Sequence, residues 1–163
     1  MSQKYCLDVV SEAELLGCKS SPTPLEQHHR LGRSASPFLA DPTRDRRLVG
    51  RLVYLAVTRP NLTCAVHILS QIMQTPYVYY WDAAVRTVQY LKGTPGQGIF
   101  FSSKAELSLS LSAWCDSDYA GCPNSRRSST GWMVLFGGSL VSWKTKKQPS
   151  VSLSFSEAEY RAM

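Results

Sequence analysis

Apolar residues recur first at helical spacing along this chain and then at strand spacing. Between Gln3 and Leu16, Leu7, Val10, Leu15 and their apolar neighbours recur loosely at helical spacing, and Gly17 marks a stop. From Cys18 to about Arg44 the pattern dissolves into Ser, Pro, Gly and charge, with Pro22, Pro24, Pro37 and Pro42, which predicts a long irregular connection. Loops of that length are unusual inside a compact domain, so this one is expected to wrap around something missing or to join two units. Helical spacing resumes at Arg46. Leu48, Val49, Leu52, Leu55 and Ala56 form one stripe, closed by Thr58-Arg59-Pro60 because the residue before proline is pushed out of the α region. Asn61 is the N-cap candidate for a second stripe of Leu62, Ala65, Val66, Leu69, Ile72 and Met73, which Pro76 ends. A third helix, from about Tyr79 to Lys92, buries Val85, Val88 and Leu91, and Gly93 is expected to cap it in the left-handed conformation.

After Gly98 the period changes to two. Leu107, Leu109, Leu111, Ala113 and Cys115 alternate with Ser108, Ser110, Ser112, Trp114 and Asp116, the clearest strand in the chain. Gly131–Phe136 and Ser139–Trp143, separated by Gly137-Gly138, read as a hairpin, because paired glycines supply the positive φ angles of a primed two-residue turn. A last helix begins near Ser154 or Ser156 and has room for about two turns before Met163.

Composition narrows the class without naming a function. In 163 residues, 44% hydrophobic against 18% charged is a globular balance, enough for one ordinary domain or two small pieces. Eighteen Lys and Arg against twelve acids give +6, which favours polyanionic partners. The five cysteines are scattered and form no C-x-x-C pair, so neither a disulfide framework nor a structural zinc site is suggested, and a reducing intracellular setting fits. The opening MSQKYCLDVVSEAELLGC has no continuous apolar core and carries Asp8, Glu12 and Glu14, which argues against a secretory or transit peptide. No apolar run reaches membrane-spanning length, so a soluble protein with no membrane partner is expected.

Several runs, in order, resemble the polymerase polyprotein of Ty1/copia-type retrotransposons across nearly the whole chain. SQKYCLDVV is similar to the segment just after the palm, RRLVGRLVYLAVTRPNLTCAVHILSQ to the next helical region, and WDAAVRTVQYLKGTPGQGIFF to the passage into ribonuclease H. CDSDYAGCPNSRRSSTGWMVLFGGSLVSWKTKKQ and SFSEAEYRAM resemble the first three strands and first helix of that domain. The order and spacing of the runs make the match strong. The chain departs from the pattern at Asp45, where an aromatic residue is usual, at Asn61, where TRPD is usual, at Glu14, where glycine is common, and at Phe155, which replaces a usual serine. The YVDD polymerase motif of the family does not occur, so this chain is not expected to polymerise. The resemblance implies a mixed α/β architecture: residues 1–97 as the helical, thumb- or connection-like end of reverse transcriptase, and 98–163 as an incomplete ribonuclease H-like domain of three antiparallel strands and the start of a helix.

Ribonuclease H chemistry, as the resemblance implies it, uses several carboxylates to hold two Mg²⁺ ions about 4 Å apart, and Mg²⁺ takes oxygen ligands. Asp116 ends the alternating strand and Asp118 lies two residues on, so in a continuing strand both point to one side, roughly 7 Å apart. Spacing alone favours two residues that terminate a strand and solvate a turn; the motif makes Asp116 a catalytic and metal ligand. Glu157 and Glu159 are two positions apart and so point about 200° apart on a helix. Ser154 with Glu157 and Ser156 with Glu159 both fit the capping box. Matching to the motif gives Glu159 the catalytic and metal role and leaves Glu157 to cap with Ser154. The remaining carboxylates of the family domain have no counterpart in this sequence, and two ligands on a strand end and a two-turn helix do not fix two ions, so the chain is expected to be inactive alone.

Two basic clusters are candidate phosphate contacts: Arg126, Arg127 and Ser128 between the first two predicted strands, and Lys144, Lys146 and Lys147 after Trp143. Without the resemblance they are ordinary solvated surface; with it, they imply contact with the backbone of an RNA–DNA hybrid. His28-His29 and His67 lack a second ligand at metal spacing. The Tyr77, Tyr79, Tyr80 and Trp81 cluster reads as packing at the start of the third helix rather than as a stacking surface for bases. The expected role is a polyprotein fragment whose ancestral activity is hydrolysis of RNA in a hybrid, working with the missing polymerase and ribonuclease H portions. The alternative is a non-catalytic nucleic-acid-binding or structural remnant of a decayed element.

Overall fold

The computed structural model describes residues 2–26, 31, 36–74, 76–101 and 110–163. The chain divides into two compact units, Met1–Gly98 and Ile99–Met163. The first is helical. Helix α1 runs Ser2–Glu12 and buries Cys6, Val9 and Val10, leaving Leu7 exposed. Of the expected residues Val10 is buried and Leu15 packs against the core, while Leu7 is not; Cys6, Val9, Val10 and Ala13 make the i, i+3, i+4, i+7 stripe. Its end is a Schellman motif, with Glu14 N–H donating to the Ser11 carbonyl (2.9 Å) and Leu15 N–H to that of Val10 (3.1 Å).

Helix α2, Pro42–Ala56, starts four residues earlier than the apolar stripe. Asp41 is the reason: its Oδ1 accepts from Thr43 N–H (3.0 Å) and Arg44 N–H (3.3 Å), and Pro42 occupies the first helical position, where its missing N–H costs nothing. A 3₁₀ turn, Pro60–Leu62, then leads into α3, Thr63–Ser70. Asn61 is not an N-cap. It lies inside the turn, where its Nδ2 donates to Tyr90 Oη (2.6 Å) and Gln97 Oε1 (3.2 Å). Helix α4, Val78–Gly93, ends without a left-handed glycine: Gly93 is its last helical residue, and Thr94 caps it at φ −134. Leu48, Val49, Leu52, Leu55, Leu62, Val66, Leu69, Tyr80, Ala84, Val88 and Leu91 close the core.

The described parts of the irregular connection lie within this unit, along α4. Thr87 Oγ1 donates to the Pro24 carbonyl (2.9 Å), Arg86 pairs with Glu26 (3.3 Å), and Lys92 Nζ donates to the Cys18 carbonyl. Farther on, Phe38 bridges to Tyr77 and stacks on it at 4.7 Å, so the tyrosine cluster is packing, as expected. His28 and His29 lie outside the described residues.

The second unit is a three-stranded antiparallel meander, β1 Leu111–Ser117, β2 Ser129–Phe136 and β3 Ser139–Lys147, followed by α5, Phe155–Tyr160. Leu107 and Leu109 of the expected first strand lie outside the described residues. Gly137 and Gly138 take φ +55 and +76, the primed turn their sequence predicts. The β2–β3 register shifts between Val134, opposite Ser142, and Leu135, opposite Leu140, so Val141 is the extra residue of a bulge. Among the described residues no helix is long and apolar enough to cross a membrane.

Candidate functional site

Asp116 is the last residue but one of β1, opposite Gly131 and exposed. Strand alternation puts it on the face of Trp114; Ser117, Thr130 and Gln148 share the other face. Helix α5 packs against β1 and rests on that second side, because Gln148 Nε2 donates both to Thr130 Oγ1 (3.1 Å) and to the Ala158 carbonyl (2.9 Å). Glu159 is half-exposed on α5. The elements that carry the two carboxylates are adjacent, but Asp116 lies on the face opposite the one on which α5 rests, so the pairing of strand and helix does not bring Asp116 and Glu159 to one side of the sheet. Among the described residues no three His, Cys, Asp or Glu side chains lie close enough to hold a metal ion. Carboxylates are the donor type that Mg²⁺ takes, and a pair of ions needs more of them than Asp116 and Glu159 supply.

The neighbouring acids have structural work. Asp118 follows the strand; its Oδ1 accepts from Ser129 N–H (2.6 Å) and its own N–H donates to the Ser129 carbonyl (3.2 Å), so it pins the loop to the start of β2. Glu157 completes the cap of α5. Ser154 Oγ accepts from Glu157 N–H (3.1 Å) and Glu157 Oε2 accepts from Leu153 N–H (2.7 Å). That bond, with Arg161 beside it, holds the Glu157 carboxyl below its ordinary range. Ser156 is not the cap of this helix.

The two basic clusters, 17 residues or more apart in sequence, meet at one end of the sheet. Gln148 N–H donates to the Ser128 carbonyl (2.8 Å), Thr130 faces Lys146, and Ser129 faces Lys147, so Arg126 and Arg127 adjoin the end of β3. Ser128 is fully buried and its Oγ accepts from Ala120 N–H (3.0 Å), so its hydroxyl serves the loop and not the surface. Alternation separates the lysines: Lys144 and Lys146 share the face of Trp132, and Lys147 lies on the other, where its Nζ donates to Cys122 Sγ (3.0 Å). Burial alone would push the Cys122 thiol up, but hydrogen bonds from Lys147 and Ser125 outweigh it and bring it down to about 7. No local signal links residues 122 and 147, so this pair emerges only from the fold.

No family model matches the chain, and no solved structure matches it. Among curated proteins it is 39% identical, over 98% of its length and 65% of the relative's, to an uncharacterized mitochondrial protein of Arabidopsis thaliana. It is 41% identical over 99% of its length to the retrovirus-related Pol polyprotein from transposon RE2 of Arabidopsis thaliana, and 32% identical over 98% to that from transposon TNT 1-94 of Nicotiana tabacum. The chain spans 11% and 12% of those two polyproteins. A match over nearly the whole chain, at these identities and to several elements, places it by descent: it belongs to the retrovirus-related Pol polyproteins of copia-type transposons.

Proposed function

We propose that residues 98–163 are the opening of a ribonuclease H-like domain and that residues 1–97 are the end of a reverse transcriptase. Together they are a polyprotein fragment that handles RNA–DNA hybrids but does not cut them alone. The observation that carries this reading is the three-strand antiparallel meander followed by a helix packed on β1, in the order the resemblance implies, although Asp116 faces away from that helix. In the complete domain Asp116 and Glu159 would bind Mg²⁺, which would supply an activated water and charge stabilisation at the leaving oxygen. The arginines and lysines gathered at one sheet end favour contact with the hybrid backbone, which also supports a purely binding role for the isolated chain.

The test is cleavage of a labelled RNA–DNA hybrid by the chain as it stands and by a version extended with the following segment of a related Pol polyprotein. The extended protein should cut with Mg²⁺, and Asp116→Asn or Glu159→Gln should each abolish cutting while leaving hybrid affinity within about twofold, since neither carboxylate neutralises a phosphate. Asp118→Asn should retain more activity than Asp116→Asn. Cleavage by the unextended chain, or an essential Glu157 in place of Glu159, would overturn the assignment.

A further inference from the structure

Two separate parts of the second unit build the contact between Cys122 and Lys147. Cys122 sits in a tight loop held at both of its backbone groups: its N–H donates to the Arg127 carbonyl (3.2 Å), and its carbonyl accepts from Arg126 N–H (2.8 Å). The loop is pinned again where Ala120 N–H donates to Ser128 Oγ and where Ser129 N–H donates to Asp118 Oδ1. Lys147, the last residue of β3, is fixed by register opposite Ser129. These restraints leave Lys147 Nζ 3.0 Å from Cys122 Sγ, with both residues half-buried. Burial works against the thiolate here, yet the hydrogen bonds leave the thiol at about 7, so a large share of it is ionised at neutral pH. Cys6 is the contrast: it is fully buried, and burial pushes its thiol up.

We propose that Cys122 and Lys147 are a peroxide-reactive couple, in which oxidation of the thiolate by hydrogen peroxide closes a covalent sulfur–nitrogen bond between the two side chains. In the first step the Cys122 thiolate attacks one oxygen of the peroxide, the O–O bond breaks, and sulfur is oxidised by two electrons to a sulfenic acid. The hydroxide that leaves takes a proton from the Lys147 ammonium and departs as water. A neutral amine then stands beside the sulfenic sulfur. In the second step the Lys147 nitrogen attacks that sulfur, the S–O bond breaks, and the hydroxyl leaves with a proton from nitrogen as a second water. A backbone nitrogen traps a sulfenic acid in the same way, and the flexible lysine stem lets the two atoms close from hydrogen-bond to bonding distance. Each link consumes one peroxide and removes two hydrogens from the chain. It ties the loop to the end of β3 across 25 positions of sequence, and so constrains the unit as a disulfide would. It uses neither Asp116 nor Glu159 and is independent of the nuclease reading.

The experiment treats the full chain with hydrogen peroxide, blocks the remaining thiols with N-ethylmaleimide, and reads the products by intact mass and peptide mapping. A single chain should lose two hydrogens and yield a peptide joining the Cys122 and Lys147 segments, which dithiothreitol opens. Lys147→Arg keeps the positive charge but offers no nucleophilic amine, so Cys122 should still oxidise and its sulfenic acid should accumulate for capture by dimedone. Lys147→Met should slow oxidation of Cys122 roughly tenfold, because less of the thiol is ionised and the greater nucleophilicity of a more basic thiolate offsets only part of that loss. Cys122→Ser should abolish the link. A wild-type map in which Cys122 is oxidised or untouched without a bond to Lys147 overturns the proposal, as does an unchanged rate at Cys122 in Lys147→Met. The first of these is read on the wild-type chain, so it holds even where a variant fails to fold. Cleavage by the extended protein is a separate measurement, and neither result bears on the other.

Discussion

Glu14 holds φ +60 at the end of α1, a conformation that a residue with a Cβ adopts at a cost of roughly 1–2 kcal/mol. The two bonds of the Schellman motif stay in place, so the strain rests on the backbone of Glu14. Glu14→Gly should raise stability by about 1 kcal/mol in denaturant unfolding, whereas Glu14→Ala should gain almost nothing because its Cβ remains. Equal gains from the two variants would assign the cost to charge instead. Asp45 is a second costly residue: it is buried, its Oδ1 has no hydrogen-bond partner, and desolvation pushes its carboxyl up against the opposing pull of Arg46. A raised folded value means that the native state binds the extra proton between pH 3.8 and that value, so this group costs stability as pH rises through the window and keeps that cost above it. Asp45→Asn should therefore gain stability near pH 7 and lose its advantage as pH falls toward 4, read from paired melts across that range. An advantage that does not vary with pH would exclude titration as the cause. Asn61 stands beside a third such position, since the fully buried Arg59 finds Thr94 Oγ1 at 2.8 Å but no carboxylate among the described residues.

At the scale of elements, local caps and close approaches decide what the short pieces do. Helix α5 has only six residues, too few to be stable by propensity, so its cap and its Gln148 tether matter more than its sequence. Ser154→Ala should cost about 1 kcal/mol and should loosen amide protection at Glu157, measurable by hydrogen exchange; unchanged exchange there would deny the cap its role. The loop before β2 is equally dependent on one residue without a side chain. A Cβ on Gly121 would stand 2.3 Å from Asp118 Oδ2, and that carboxylate is tied to Ser129 N–H. Gly121→Ala should therefore destabilise by more than a typical surface change, of order 1–3 kcal/mol, with chemical-shift changes concentrated at residues 118–130. Of these features the sequence showed the S-x-x-E box and the paired glycines of the hairpin. It did not show Gly121, because the approach depends on where the Asp118 carboxylate is pulled.

For the whole molecule, the sheet of the second unit is its weak part. Six of the seven residues of β1 are exposed, including Leu111 and Trp114, and none is Lys, Arg or Pro, the residues that usually blunt an edge. Three strands with so little apolar cover are close to the minimum for independent stability. The isolated chain should bind a hydrophobic dye such as ANS and associate with increasing concentration, both seen by fluorescence and light scattering. A sharply cooperative melt of a dye-free monomer would contradict this.

The sequence by itself determined the order of the elements, the two periodicities and the hairpin turn, because each depends on residues within a few positions of one another. It also carried the kinship, since that rests on ordered runs of residues. Local signals misplaced Leu7 of α1, which is exposed, and the start of α2, where a polar first turn hides the helix that Asp41 begins. Only the tertiary structure decided that Arg126 and Arg127 adjoin Lys146 and Lys147, that those two lysines point to opposite faces, and that Lys147 meets Cys122. Those facts follow from strand register, and register is set by pairing across the sheet, where one residue of slip or one bulge sends every side chain to the other face.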